Sequence, residues 1–226
     1  MNLLSKIIPL CSICGAPIIG AYLIDAYGNK VCYHHKDQFH YCLSCGRICD
    51  SEAFKQSESV YICSDCFENI PSDEECSRIV QHIRSRYIDL PIGIIPAFTL
   101  IRVPVQKWQK DSKSVGVAVR DESGYSIRVV DCLSKTAFAE VMAHELLHLW
   151  LFDHGLSPSK RITEGFCNLG SFEILRGIQT EKAKAKIDSI LSNPDSIYGD
   201  GFRLVKKEFD NSGWTGVIER VKRHSA

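Results

Sequence analysis

Two histidines and a glutamate stand at metal-site spacing in the run His144-Glu145-Leu146-Leu147-His148. Histidines four residues apart on a helix project from the same side, so both imidazoles can reach one zinc ion. The carboxylate of Glu145 lies beside them, where it can take a proton from a water molecule that zinc has made more acidic. The run therefore predicts a catalytic zinc site, with His144 and His148 as ligands and Glu145 as general base.

A third ligand must come from elsewhere, because a catalytic zinc site takes three protein ligands and leaves one position open. Glu164 follows His148 across a break in the helical pattern, and the next helix can turn back towards the metal. We therefore predict Glu164 as the third ligand. Asp153 and His154 are alternatives, but both are too close in sequence to fold back unless the helix ends early.

The helix that carries the motif is apolar on nearly all sides, which predicts that it is buried. Ordinary polar residues on a solvated helix would be the alternative interpretation of the motif. Buried histidines need polar partners, and this requirement favours the metal site. The apolar neighbours are Val141, Met142, Leu146, Leu147, Leu149, Trp150, Leu151 and Phe152.

Cysteines are concentrated at the front of the chain, where nine of the eleven lie within the first 76 residues. Eight potential ligands form four pairs, here called hooks, in which two residues separate the members of a pair. The hooks fall into two sets, and in each set seventeen residues separate the first hook from the second. Each set supplies the four ligands of a closed tetrahedral zinc site. The first set is Cys11, Cys14, Cys32 and His35, and the second is Cys42, Cys45, Cys63 and Cys66. With the catalytic site, the sequence predicts three zinc ions.

Some ligands of these two sites have alternatives. His34 or His40 could take the place of His35, and Cys49 could be an additional thiol. Buried thiols without a metal are the other interpretation, but they do not explain four regular pairs.

Composition excludes several classes of function. The chain has 226 residues, is 45% hydrophobic, and balances 27 basic with 27 acidic residues, so nothing favours nucleic acid or an anionic membrane as a partner. No apolar run approaches the length that crosses a bilayer. Clustered cysteines are typical of metal sites in a reducing compartment, and we expect a cytoplasmic protein.

The elements that must position these residues predict an α+β fold with a small antiparallel sheet before the motif helix. Ser72 and Glu75 form a capping-box pattern at the start of a helix over 73–89, in which Cys76 has a packing role. Strands are predicted at 97–105, 115–120 and 125–131, the last two as a hairpin, with helices from 134 onward. The predicted units are a double zinc-binding module at 8–70, a linker helix at 71–90 and a catalytic domain at 91–226.

The front module resembles a LIM domain, although Cys32 stands where that family more often has histidine and the spacer at 36–41 is longer than usual. Over roughly residues 32–226 the chain resembles the plant organ-size-regulating LIM peptidases, the ubiquitin-activated "DA-one" family. The strings that carry this resemblance are Cys32-Tyr33-His34-His35, Cys42-Leu43-Ser44-Cys45, Ile62-Cys63-Ser64-Asp65-Cys66, Ala143-His144-Glu145-Leu146-Leu147-His148-Leu149-Trp150, Glu164-Gly165-Phe166-Cys167 and Tyr198-Gly199-Asp200-Gly201-Phe202-Arg203.

This resemblance implies a LIM-like double zinc-knuckle module followed by a zincin-type metallopeptidase domain that cleaves protein or peptide substrates inside the cell. It implies His144, His148 and Glu164 as zinc ligands and Glu145 as the catalyst. The LIM-like module would serve structure or bind a protein partner. Ubiquitin regulation is not implied, because the family's ubiquitin-interacting segments precede the LIM region and this chain begins close to its first hook. The alternative is a catalytically silent LIM-like interaction scaffold, against which the intact Glu145 argues.

Two further expectations concern the substrate. An extended peptide could add to the edge of the sheet at 115–120, where unpaired backbone groups would bind it without reading its sequence. Tyr198 or Arg203 could stabilise the tetrahedral intermediate, since the glycines at 199 and 201 would let that segment approach the site. A tight turn that begins a helix is the alternative explanation of those glycines.

Overall fold

Short hairpins come first and long helices last in the computed structural model, which describes residues 8–36, 39–49, 53–108 and 114–225. The strands are β1 (Tyr22–Ile24), β2 (Lys30–Cys32), β3 (Phe54–Lys55), β4 (Tyr61–Ile62), β5 (Thr99–Val103), β6 (Gly116–Asp121) and β7 (Gly124–Val130). The helices are α1 (Ser64–Glu68), α2 (Asp73–Ile88), α3 (Lys135–Asp153), α4 (Lys160–Arg176), α5 (Glu181–Ser192) and α6 (Tyr198–Arg223). The predicted α+β class is confirmed. Among the described residues, no helix combines the length and the apolar character needed to cross a bilayer.

The sheets are small, and antiparallel pairing is confirmed in three places. β1 pairs with β2, β3 with β4, and β6 with β7 through the predicted hairpin. One pair differs from the expectation, because β5 lies parallel to β7 and the three-stranded sheet has the order β5-β7-β6. The chain passes from β5 to the far edge before it turns back, so β7 enters between the other two strands and β6 is left at an edge.

Helix α2 begins at the predicted capping box. The Ser72 hydroxyl accepts from the backbone N–H of Glu75, and the Glu75 carboxylate accepts from the backbone N–H of Ser72. Cys76 and Tyr87 are buried, and the Tyr87 hydroxyl donates to the carbonyl oxygen of Ala143 at 2.9 Å. The helix predicted as a linker is therefore packed against α3, directly beside the motif.

Helix α4 packs against α3 on one side and against α6 on another. Two glycines allow α4 and α6 to cross closely: a Cβ on Gly165 would lie 2.2 Å from the Gly201 oxygen, and a Cβ on Gly201 would lie 2.2 Å from the Arg161 oxygen. Helix α6 is kinked at Gly213, which has a φ of 61°. Close crossing at Gly165 brings the residues at the start of α6 beside those of α4.

Buried apolar residues form two clusters. The larger one extends from Cys42, Ile62 and Cys66 through α2, β7, α3 and α4 to α6, so it is continuous across residue 70. The smaller one contains Cys11, Ile18, Val31 and Ile48. The second set of cysteines thus belongs to the main core, whereas the first set has a small core of its own.

A buried carboxylate joins the front hairpin to the rest of the chain. Asp25 accepts from the backbone N–H groups of Tyr27 and Asn29 with one oxygen. Its other oxygen accepts from the Asn29 side chain and from the backbone N–H of Ile48. The Tyr27 hydroxyl also donates to the carbonyl oxygen of Cys45. These bonds orient the first set of hooks relative to the second.

Candidate functional site

The motif histidines and the predicted third ligand come together at one point between α3 and α4. The Nε2 atoms of His144 and His148 are 3.1 Å apart. The Oε2 atom of Glu164 lies 3.2 Å from the first of these nitrogens and 3.9 Å from the second. The i, i+4 spacing on α3 places both imidazoles on one side, and the break before α4 returns Glu164 to them.

These separations fit the ligands of a single tetrahedral ion. Nitrogen and oxygen atoms about 2.0–2.1 Å from zinc lie roughly 3.3 Å from one another at the tetrahedral angle. The observed values of 3.1, 3.2 and 3.9 Å bracket that distance. The three side chains therefore present a donor set of the size that zinc requires.

Asn168 orients one of the histidines. Its Oδ1 atom lies 3.1 Å from His144 Nδ1, and an amide oxygen can only accept, so Nδ1 carries the proton. The lone pair of His144 is then on Nε2, which faces Glu164 and His148. Metal-binding histidines are commonly held in this way by a hydrogen bond to the second ring nitrogen.

The environment favours the metal-binding forms of Glu164 and His148. At His144 burial opposes protonation, but the hydrogen bond with Glu164 and the charges of Glu145 and Glu164 outweigh it and raise the pKa. Burial opposes ionisation of Glu164, but the hydrogen bond with His144 and the charges of His144 and His148 outweigh it and lower the pKa of Glu164. Burial, together with the neighbouring His144, lowers the pKa of His148 to about 4, so this imidazole is neutral at neutral pH. An ionised carboxylate and a neutral imidazole are the forms that bind zinc.

Cys167 is a further candidate ligand that sequence reasoning did not identify. It lies one turn after Glu164 on α4, and its sulfur is within 4.8 Å of the ligand nitrogens of His144 and His148. Burial, with the nearby Glu164 and Glu145 charges, raises the pKa of the Cys167 thiol well above its ordinary value. Helix α4 therefore offers two possible donors to the histidines, the Cys167 sulfur and the Glu164 carboxylate.

The alternative ligands Asp153 and His154 are engaged elsewhere. The Asp153 carboxylate accepts from the Tyr125 hydroxyl at 3.3 Å. The His154 ring stacks on Trp150 and its Nδ1 atom donates to the Trp150 carbonyl oxygen. Neither Asp153 nor His154 belongs to the group of potential metal ligands that the described residues form around His144.

Glu145 is buried between α3 and the edge strand β6. Its Oε2 atom accepts from the backbone N–H of Ala118 at 2.8 Å, so this N–H points away from β7 and towards the motif. Burial raises the pKa of Glu145, although the His144 charge and the Ala118 N–H act in the opposite direction. Gly116 allows this approach, because a Cβ there would lie 2.4 Å from Val141 on α3.

A cavity of about 730 Å³ opens beside the motif. Its walls include β6 from Gly116 to Ala118, the two histidines, Glu145, Glu164 and Tyr198. Tyr198, one of the two predicted stabilising residues, thus lines the same cavity as the motif. Arg203, the other, bonds to the Asn193 carbonyl oxygen at 2.8 Å and to Asp200, and it is not among the described residues that line the cavity.

The first set of hooks forms one group of potential metal ligands: Cys11, Cys14, Cys32 and His35. His35 Nδ1 lies 3.0 Å from Cys32 Sγ and 3.8 Å from Cys11 Sγ. Sulfur and nitrogen ligands of tetrahedral zinc are about 3.5 Å apart, between these two values. Of the alternatives to His35, His34 is exposed and His40 stacks on Tyr61.

The second set, Cys42, Cys45, Cys63 and Cys66, forms another such group and is buried throughout. Cys45 Sγ and Cys63 Sγ are 3.9 Å apart, close to the roughly 3.8 Å expected between thiolates on one tetrahedral zinc ion. Cys49 is buried in the same apolar cluster. None of the eleven cysteines forms a disulfide. Three groups of residues in this chain could therefore bind metal ions.

Residues that sequence reasoning missed are those that reach the motif through the tertiary fold. Asn168 stands four residues after Glu164 on the same helix, and this spacing is the one signal that could have identified it. Ala118 contacts Glu145 through its backbone N–H, and the residue type gives no indication of such a contact. Cys167 belongs to the Glu164-Gly165-Phe166-Cys167 motif, but the sequence did not predict that it lies beside the histidines.

Comparison of this chain with protein-family models, with curated proteins and with solved structures found no match. The function proposed next rests on the three groups of potential metal ligands and on the cavity beside one of them.

Proposed function

We propose that this protein is a zinc-dependent peptidase of the zincin type, with a catalytic ion held by His144, His148 and Glu164. The observation that carries the proposal is the convergence of these three donors, 3.1–3.9 Å apart, with Glu145 beside them at the wall of one cavity. The two groups of hooks are closed sets of four ligands, which suits structural zinc.

Zinc, when bound, polarises the carbonyl group of a scissile peptide bond and makes water more acidic. Glu145 takes the proton from the attacking water and delivers it to the leaving amine. The Ala118 N–H holds the Glu145 carboxylate at the cavity wall, and Asn168 holds His144 in the tautomer that presents Nε2. Burial of Glu145 keeps this proton transfer away from bulk water.

The edge strand β6 supports an extended peptide as the substrate. Among the described residues its outer side has no strand partner, and its residues 116–118 line the cavity. The Ala118 N–H is bonded to Glu145 and Gly116 to the Ser114 hydroxyl, so a peptide would pair with the remaining outward groups of the strand. Main-chain bonds to β6 would place a peptide across the motif regardless of its side chains. Tyr198, at the start of α6, lines the same cavity and would donate to the developing oxyanion.

Metal analysis combined with a peptide-cleavage assay tests the proposal. The unmutated chain should hold three zinc ions and cleave an unstructured protein substrate, with activity lost on chelation. His148→Ala should remove one ion and all activity. Glu145→Gln should retain three ions and lose turnover by about 10²–10⁴-fold, because it removes the base and no ligand.

The control is His154→Ala, which removes a histidine from the end of the same helix, outside the cavity. It should keep three ions and normal turnover. Two ions in the unmutated chain, unchanged by His148→Ala, would refute the catalytic site and favour the scaffold instead.

A further inference from the structure

The helix that carries the motif begins against the Cys42–Cys66 metal-binding group. Ser44, which stands inside the hook between Cys42 and Cys45, is fully buried. Its hydroxyl accepts from the backbone N–H of Ser134 at 2.8 Å and donates to the Ser134 hydroxyl at 2.9 Å. Ser134 is the residue immediately before α3, so the hook bonds directly to the start of this helix.

This contact replaces the usual local cap. The first N–H groups of a helix have no partner within it, and a serine in the capping position normally accepts from one of them with its own hydroxyl. The Ser134 hydroxyl makes no such bond in α3 and accepts from Ser44 instead. The next N–H, that of Lys135, donates at 2.9 Å to the carbonyl oxygen of Asn69, directly after the helix that carries Cys66. Both hooks of this group therefore hold the start of α3.

Ser44 lies directly before the ligand Cys45 and two residues after the ligand Cys42, so its position depends on the backbone that carries both sulfurs. The hook, Ser44 and Ser134 thus form one connected path. About 15 Å of helix separates Ser134 from His144, and a buried helix transmits a shift at its start to the residues further along.

The two cysteine-containing groups differ in whether they contact the start of α3. The Cys11–His35 group is joined to the rest of the chain through Asp25, which bonds to the backbone of Ile48. Its small core is separate from the cluster that contains α3. Loss of a metal from the first group would therefore leave the start of α3 in place.

We propose that the Cys42–Cys66 metal site positions the motif helix through Ser44, so that Ser44 is a positioning residue for His144 and Glu145. The effect on turnover rests on the proposed peptidase function, whereas the effect on the helix does not. Occupancy of this site and the geometry of the motif are coupled, while the first site is independent of it.

Hydrogen exchange of the full-length zinc-loaded chain tests this coupling without a substrate. In Ser44→Ala the Ser134 N–H loses a buried acceptor, and exchange of the peptides that cover the first turns of α3 should be roughly tenfold faster. The ion held by the motif should pass more quickly to a competing chelator, and kcat should fall with KM little changed. Ser64→Ala is the control, because it changes the serine of the other hook, which is only partly buried and for which the structure shows no bond to α3.

Two more variants complete the test. If Ser44→Ala does not fold, Ser134→Ala removes the hydroxyl partner alone and should give a smaller change in the same direction. Cys14→Ser should cost one ion and leave exchange in α3 unchanged.

Exchange in Ser44→Ala and Ser134→Ala equal to that in Ser64→Ala would overturn the proposal, as would an equal effect from Cys14→Ser. Faster exchange in a chain that cleaves no peptide would support the coupling and count against the peptidase function alone.

Discussion

Substitution of Gly165 by alanine should disturb the motif without touching a ligand. A Cβ at this position would lie 2.2 Å from the Gly201 oxygen and 2.9 Å from Val205 Cγ2. Ordinary van der Waals contact begins at 3.4 Å, so α4 and α6 would have to separate by about 1 Å. The clash is with backbone, which cannot rotate away as a side chain can.

The shift would act on the adjacent Glu164. Its Oε2 atom is 3.2 Å from His144 Nε2, and zinc ligands tolerate displacements of only about 0.2 Å from ideal distances. A displacement of about 1 Å at the reacting groups can reduce turnover about 100-fold. Overpacking at such a crossing also lowers the free energy of unfolding by about 1–3 kcal/mol. We therefore expect Gly165→Ala to bind the motif ion weakly, to lose turnover and to unfold at lower urea concentration.

Gly177→Ala is the matched control at the end of the same helix. Gly177 has helical backbone angles, and a Cβ there would meet only the Ile174 oxygen, at an ordinary 3.4 Å. Both variants would be dialysed against a weak chelator, analysed for zinc, unfolded in urea and assayed for peptide cleavage. The reasoning fails if Gly165→Ala matches Gly177→Ala in all three measurements.

Three further outcomes are expected. Asn168→Ala removes the acceptor for the His144 Nδ1 proton and should weaken binding of the motif ion by about 10–100-fold in chelator competition, and unchanged binding would show that Asn168 does not orient the ring. Tyr198→Phe should lower turnover with three ions retained. Arg203→Ala should affect turnover less, because the Arg203 guanidinium bonds to Asn193 and Arg203 does not line the cavity. Unchanged turnover in both variants would exclude a role of either residue in stabilising the oxyanion. A complex with a peptide analogue should show main-chain bonds to β6, and a peptide bound without any would contradict the edge-strand model.

Features encoded in local sequence were predictable. The capping box of Ser72 and Glu75 is a local motif, so it located the start of α2 at Asp73 as observed. The β6–β7 hairpin depends on a short turn between alternating strands, and it too was found. The hooks and the i, i+4 histidines carry their geometry in their spacing, and the structure brings together the four residues of each hook set and the two histidines.

Features that depend on packing between distant segments were not predictable. The residues of β5 do not specify its parallel pairing with β7. That pairing depends on β6 lying at the far edge of the sheet, which leaves the position beside β5 to β7. The glycines at 199 and 201 suggested a segment that approaches the motif, but they lie within α6. A Cβ on Gly199 would lie 1.9 Å from the Asn193 oxygen, and Gly201 packs against Arg161. Their role is close packing at the start of a helix.

The continuous core also determines where this chain can be divided. A fragment that begins at residue 71 would lack Ile62 and Cys66, exposing the apolar surface that they cover, and would leave the N–H groups of Ser134 and Lys135 without acceptors. Such a fragment should aggregate even though it contains the whole motif. A fragment that begins near residue 39 gives up the small cluster around Val31 and the contacts of Tyr27, keeps the buried residues of the main core, and should remain folded. The shortest fragment that stays folded is thus set by shared burial and includes one complete cysteine group.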